Sequence, residues 1–223
     1  MNTTDMNEIK KVAKVVKESS EKLNLVKIKI LETKSLGMAD RVCIDTCTNM
    51  SIGEGMLIGN SSGGLFLVHS ESIENPYVAP RPFRVNAGPV HAYVRVTDGK
   101  TRYLSELKSG DEVTIINFKG HCQRSVVGRT KVEKRPLMLI EAECRGKSIS
   151  TILQNAETIR LTKPNGKPIS VVELKKGSKI MAFMEEAGRH FGMKIDETIT
   201  EKLYLLRKSI ASPNISYILQ NLV

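Results

Sequence analysis

The sequence predicts a mainly β, α+β protein in which repeated antiparallel β units form a barrel or sandwich, with an N-terminal helix and a short C-terminal helix. Three observations carry this reading. Short β-like runs separated by Gly, Asp and Asn turns recur from residue 25 to residue 184, a spacing typical of all-β folds. A unit of turn and strand occurs at least twice within that stretch. Helical periodicity is confined to the two ends of the chain.

At the N-terminal end, Asp5 and Glu8 form a capping box and Ile9, Val12, Ala13 and Val16 share one helical face, which predicts a helix over residues 6–22. The β runs follow at 25–31, 41–45, 55–59, 64–69, 91–97, 112–117, 123–133, 136–144, 148–153, 157–162 and 178–184. In Val26-Lys-Ile-Lys-Ile30 the alternation marks a half-buried strand with a solvated face. Beyond Lys202, Leu203, Leu206 and Ile210 form a short amphipathic helix, then Ser212-Pro213-Asn214 leads into an apolar tail ending at Val223. The boundaries that result are 1–24 for the N-terminal helix, 25–202 for the repeated β domain and 203–223 for the C-terminal helix and tail.

The repeat runs from Val94 to Thr114 and again from Ile159 to Met181, with a two-residue insertion before Gly166 and second halves offset by 67 residues. Its frame is apolar-x-x-Gly-x-x-apolar, at Leu107–Val113, Leu174–Ile180 and, more faintly, Met50–Met56. The first apolar residue anchors a turn, Gly supplies a positive φ, and the second apolar residue opens a buried strand. Units of this size pack side by side to share a core that one copy cannot close. Asn86-Ala87 and Asn155-Ala156 precede the two clear copies, which gives Asn86 a partly structural reading.

Composition excludes several classes. The 223 residues, 40% hydrophobic and 26% charged, are ordinary for a globular chain able to bury a core. No apolar run is long enough to span a membrane, and MNTTDMNEIKK lacks the apolar centre of a signal peptide. Four cysteines without framework or CxxC spacing suit buried thiols in a reducing cytoplasm. The net charge of +10 is dispersed along the chain, and aromatics are 4% with no Trp. This speaks against a nucleic-acid partner and leaves a surface that attracts an anionic substrate or dinucleotide.

The chemistry concentrates in residues 65–93, which hold four of the eight prolines and the side chains of His69, Glu71, Glu74, Arg81, Arg84, Asn86 and His91. Proline fixes φ and keeps the preceding residue extended, so the segment reads as an ordered, stiff functional loop. His69 and His91 suit proton transfer near neutral pH, Arg84 or Arg81 can hold a carboxylate bidentately, and Glu71 can orient a histidine or bind a metal. No metal site is assigned, since His69 and Glu71 at i, i+2 make only two ligands. Upstream, Gly53-Glu-Gly55-Met-Leu-Ile-Gly59 departs from the dinucleotide spacing and precedes no helix, so a strand and hairpin turn fit it better. The backbone amides from Gly59 to Gly64 remain able to cradle a phosphate or carboxylate. His121 receives no role, and His190 within Gly188-Arg-His-Phe-Gly192 reads as a close-approach turn or a structural corner.

At these residues the chain resembles a known family. LGMADRVCIDTC, GEGMLIG, LFLVHSESIENPYVAPRPFRVNAGPVHAY, KTRYLSELKSGDEV, VVGRTKVEKRPLMLIEAE, TILQNAETIRL and GRHFGM are similar to the archaeal-type 3-dehydroquinate synthases, or dehydroquinate synthase II, from about Val26 to Lys202. The resemblance implies NAD-linked oxidative deamination of 2-amino-3,7-dideoxy-D-threo-hept-6-ulosonate, a small anionic amino-sugar acid, and ring closure to 3-dehydroquinate for aromatic amino-acid synthesis. It implies His69 and His91 for the proton transfers, Glu71 for orienting His69, Arg84 and Arg81 for the substrate carboxylate, and Asn86 for a hydroxyl or carbonyl. Gly59, Ser61 and Ser62 fall where a cofactor contact is expected, although Ser62-Gly63-Gly64 stands where the family usually has an Arg. Family members carry an α/β region before the matched part, so residues 1–24 are expected to be its remnant and a separate N-terminal polypeptide or second subunit to complete the site. The family is also similar to the 3-amino-4-hydroxybenzoate synthases, which would make an aromatic product with a divalent metal and no net hydride transfer. A basic β-barrel binding module without catalysis is the third reading.

Overall fold

The computed structural model describes residues 22–76 and 78–185. The helix expected beyond Lys202 and the turn at His190 lie outside these described residues, as does residue 77. So does all of the expected 6–22 helix except Lys22, which forms an isolated antiparallel bridge with His121 instead of ending a helix.

Twelve strands follow one another: β1 (Val26–Thr46), β2 (Glu54–Ser61), β3 (Gly64–His69), β4 (Arg84–Pro89), β5 (Tyr93–Arg95), β6 (Thr101–Tyr103), β7 (Glu112–Asn117), β8 (Cys122–Cys144), β9 (Lys147–Gln154), β10 (Arg160–Thr162), β11 (Pro168–Ser170) and β12 (Lys179–Met184). Among the described residues the helices are three single 3-10 turns, at Thr97–Gly99, Leu104–Glu106 and Val171–Glu173. None is long and apolar enough to cross a membrane. Runs expected as separate strands at 25–31 and 41–45 are one long strand, β1, and those at 123–133 and 136–144 are joined in β8. Pro136 does not end β8, because it sits where the β1 ladder slips between Ser35 and Met38, the kind of irregularity that tolerates proline.

All twelve strands belong to one antiparallel sheet, ordered β11-β10-β3-β12-β1-β8-β7-β2-β5-β6, with β4 on β1 and β9 on β8. Because β2 pairs with β3 as well as with β7, the strands β3, β12, β1, β8, β7 and β2 are linked in a closed circuit. Such a circuit leaves few open edges to template aggregation.

The repeat seen in the sequence is a repeat of structure. Its two copies form β5, β6 and β7 and then β10, β11 and β12, each with a 3-10 turn before the last strand. They dock alike on the two long strands. Gly110 N–H donates to the Val127 carbonyl at 2.8 Å and Val127 N–H to Asp111 at 2.8 Å; Gly177 N–H donates to Ile30 at 2.8 Å and Ile30 N–H to Ser178 at 2.9 Å. The faint third copy has the same turn, with Gly53, Gly110 and Gly177 at φ of 88°, 93° and 88°. In every copy the flanking apolar pair is buried: Met50 and Met56, Leu107 and Val113, Leu174 and Ile180.

The main core collects one face of these strands, including Val42 and Ile44 of β1, Phe66 and Val68 of β3, and Met138 and Ile140 of β8. A strand turns successive side chains to opposite faces. Arg41, Cys43 and Asp45 therefore leave β1 on the side away from that core, yet all three are buried.

Candidate active site

Within the sheet the second half of β1 is flanked by β4 on one edge and β8 on the other, and their side chains share its outer face. The register aligns three rows of side chains: Arg84, Asp45 and Arg129; Asn86, Cys43 and Lys131; and Arg41 beside Glu133. Residues 70–76 and 78–83 then fold over this face as a flap. Its base is closed by the Glu71–Arg81 bridge, with Arg81 N–H donating to the Glu71 carbonyl at 2.7 Å and Glu71 N–H to Arg84 at 2.8 Å. Its return is tied down by Met50 N–H donating to Pro82 at 2.7 Å and Thr46 N–H to Phe83 at 2.8 Å. Between flap and strands lies a pocket of about 300 Å³, closed at one side by Gln154, Thr158 and Arg160.

Ion pairs organise its walls. Arg84 donates through Nε to Asp45 Oδ1 at 2.6 Å and through Nη2 to Oδ2 at 2.9 Å. Arg129 donates to the same Oδ2 from Nε at 2.9 Å and Nη2 at 2.6 Å. Burial alone would raise the Asp45 pKa, but the bonds from Arg84 and Arg129 prevail and hold the carboxyl below its ordinary value. Arg41 donates through Nη1 to Cys43 Sγ and through Nη2 to Glu133 Oε2, the latter at 2.9 Å. Burial pushes the Cys43 thiol up to about 11 against the opposing pull of Arg41, so it stays protonated at neutral pH. Asn86 Nδ2 donates to Gln154 Oε1 at 2.9 Å, while Asn86 Oδ1 and Arg41 Nε are buried without partners.

Of the residues singled out from the sequence, Glu71, Arg81, Arg84 and Asn86 meet in this pocket. His69 and His91 do not line it. His69 is 2% exposed; its Nε2 accepts the Gly53 N–H at 2.8 Å and its Nδ1 donates to the Ser70 carbonyl at 2.7 Å. Burial, with the charge of Arg160 nearby, lowers its pKa, so the ring is a neutral structural link. Glu71 does not orient it, since both ring nitrogens are taken by backbone groups. His91 lies on an exposed turn after β4. Gly59 and Ser61 belong to β2, and Ser62 with Gly63 makes a plain hairpin turn onto β3. No residue from Gly59 to Gly64 has a positive φ, so the amide cradle expected there is confined to the turn of Ser62 and Gly63. Among the described residues no group of three or more His, Cys, Asp or Glu side chains could hold a metal ion.

Sequence reasoning missed Arg41, Cys43, Asp45, Lys131, Glu133, Arg135 and Arg160. A signal existed in β8, where Arg129, Lys131, Glu133 and Arg135 alternate and so share one face of the strand. For Arg160, inside the repeat's second copy where it matches Arg95 of the first, there was none.

Comparison with known proteins identifies the family of the chain. The family model for the C-terminal domain of 3-dehydroquinate synthase II matches residues 27–202. The chain is 60% identical over 202 residues to a 3-dehydroquinate synthase homolog of Aquifex aeolicus, covering 91% of this chain and 61% of that protein. It is 57% identical over 202 residues to the 3-dehydroquinate synthase of Methanopyrus kandleri, covering 89% of this chain and 50% of that protein. With the 3-dehydroquinate synthase of Methanococcus maripaludis it shares 56% identity over 199 residues, 89% of this chain and 55% of that protein. No solved structure matches. The chain thus spans about half to three-fifths of the length of these relatives. By the family model and by these identities, the chain belongs to the 3-dehydroquinate synthase II family, whose C-terminal domain it carries in residues 27–202.

Proposed function

We propose that this chain supplies the charged wall of a 3-dehydroquinate synthase site, in an enzyme that oxidatively deaminates 2-amino-3,7-dideoxy-D-threo-hept-6-ulosonate with NAD and closes the ring to 3-dehydroquinate. One observation carries the reading. The long motif at residues 65–93 contains the flap and β4 of a basic pocket, with Glu71, Arg81, Arg84 and Asn86 all lining it.

The substrate is a zwitterion, and the pocket offers both matching signs. Glu71, with one oxygen held by Arg81 at 3.3 Å, is the carboxylate placed to attract the substrate ammonium and take its proton. Arg81, 41% exposed at its side chain, is the guanidinium at the flap that can meet the substrate carboxylate in a two-bond fork. Asn86 and the neutral Cys43 thiol give uncharged contacts to hydroxyl and carbonyl oxygens. His69 holds the end of β3 to the Gly53 turn, and neither it nor His91 is given a proton-transfer step. The excess of cations and the unpartnered Arg41 Nε fit an anionic cofactor beside the substrate. NAD, when bound, accepts hydride from the amine-bearing carbon.

The test combines this chain with the N-terminal part of a longer relative and follows NADH and 3-dehydroquinate formation from the amino-sugar acid. Both products should form, and Glu71→Gln should abolish them while leaving the fold intact. Absence of both with a folded pair would refute the reading; an aromatic product without NADH would move the chain to the 3-amino-4-hydroxybenzoate type.

A further inference from the structure

The charge inventory of the pocket exceeds what the zwitterionic substrate can use. Among the described residues six cationic side chains line it against two carboxylates. One of those carboxylates, Glu133, is shared by Arg41 at 2.9 Å, Lys131 at 3.0 Å and Arg135 at 3.3 Å. One negative charge cannot balance three positive ones. Arg160 adds a fourth cation, whose guanidinium donates to the Thr158 carbonyl at 3.0 Å and has no carboxylate partner among the described residues. Arg41, one of the three cations on Glu133, is buried with its Nε lacking any acceptor. A ligand with one carboxylate and one ammonium has no net charge, so it leaves this excess in place. Lys131 and Arg135 are 48% and 45% exposed at their side chains, so water screens part of their repulsion, and the net positive charge that remains attracts a multiply charged anion.

We propose that the pocket recognises a dianionic phosphoryl group, a diphosphate or a phosphate ester, held by Arg160 together with Lys131 and Arg135 of β8. Guanidinium groups meet phosphoryl oxygens in parallel two-bond forks, and the Lys131 ammonium adds a mobile point charge. This rests on the pocket being the ligand site of the enzyme, and it says which chemical group the surplus cations are for.

The experiment is titration calorimetry on the full chain with inorganic pyrophosphate, and with lactate as a monocarboxylate of single charge. Pyrophosphate should bind one to one and more tightly than lactate, and Arg160→Gln and Arg135→Gln should each weaken it by about tenfold. Arg160 has no acid partner to orphan and Arg135 is 45% exposed, so both variants should keep the parent's melting temperature. Displacement of pyrophosphate by NAD assigns the group to the dinucleotide; an Arg160-dependent site that NAD does not displace assigns it to a phosphorylated ester. Pyrophosphate binding no tighter than lactate, or unchanged in both folded variants, overturns the proposal. Pyrophosphate binding that persists in a protein pair unable to make 3-dehydroquinate would sink the synthase reading alone.

Discussion

Arg84 and Asp45 face each other across the β1–β4 pair and are joined by two hydrogen bonds of 2.6 and 2.9 Å, both residues being buried. An arginine so committed is less free to hold a substrate carboxylate than the sequence suggested, and its carboxylate partner is the residue on which it depends. Removing one member of a buried pair strands the other charge, at a cost of about 3–5 kcal/mol. Asp45→Asn should therefore lose stability of that order in urea unfolding. The double variant Asp45→Asn/Arg84→Met should recover much of it, because no buried charge is left uncompensated and Arg129, 63% exposed at its side chain, is solvated. A single variant as stable as the parent would show that water or Glu71 compensates Arg84 fully.

His69 makes stability depend on pH. Its ring must stay neutral, with Nε2 accepting from Gly53 and Nδ1 donating to Ser70, and burial lowers its pKa below the ordinary 6.5. As pH falls through about 6.5 the unfolded chain takes up a proton that the folded chain refuses, so the stabilisation present above that value is lost on acidification. The urea midpoint should fall between about pH 7 and about pH 5, with a slope of at most about 1.4 kcal/mol per pH unit from this residue. His69→Gln should start lower and fall less. An unchanged slope in that variant would place the pH response elsewhere.

Two stretches of β1 show what was legible and what was not. Lys27 and Lys29 alternate with Ile28 and Ile30 and are exposed, as a solvated strand face should be. Arg41, Cys43 and Asp45 alternate with Val42 and Ile44 in the same manner and are buried. Period two fixes which residues share a face, but not what later covers it. The covering comes from side chains of the neighbouring strands β4 and β8 and from the flap, partners far apart in sequence. Turn chemistry is local, and so the repeated glycine frame was read correctly, including its third copy. His69 and Glu71 were read together because their spacing is local too, whereas Gly53, the residue that engages the His69 ring at Nε2, lies sixteen positions away.

Cys43 and Cys47 should separate cleanly in thiol chemistry. Cys43 lies in the pocket wall, buried, with its pKa pushed up to about 11, while Cys47 is exposed. The thiolate is the reactive form. In the native protein at mildly alkaline pH, iodoacetamide followed by peptide mass mapping should label Cys47 first and leave Cys43 largely intact. Preferential labelling of Cys43 would mean that the Arg41 contact activates the thiol more than burial suppresses it.

The three turn glycines allow backbone strain to be separated from packing. Gly110 and Gly177 have positive φ, and an added Cβ would meet nothing within 4 Å, so Ala at either site carries the left-handed penalty alone. That penalty is about 1–2 kcal/mol, and the two variants should lose similar amounts in urea unfolding. At Gly53 the φ is equally positive, but an added Cβ would also stand 2.9 Å from Phe118 Cδ1 and 3.2 Å from the Gly166 carbonyl oxygen. Gly53→Ala should therefore cost more than either of the others. Phe118 is wedged between this turn and the second copy's turn, since a Cβ on Gly166 would lie 2.7 Å from the same ring. Trimming the ring should relieve the packing part of the Gly53→Ala penalty and leave the φ part. In a double-mutant cycle Gly53→Ala and Phe118→Ala should thus couple, the pair losing less than the sum of the singles. Gly110→Ala with Phe118→Ala should be additive, and additivity in both cycles would remove Phe118 as the link between the two turns.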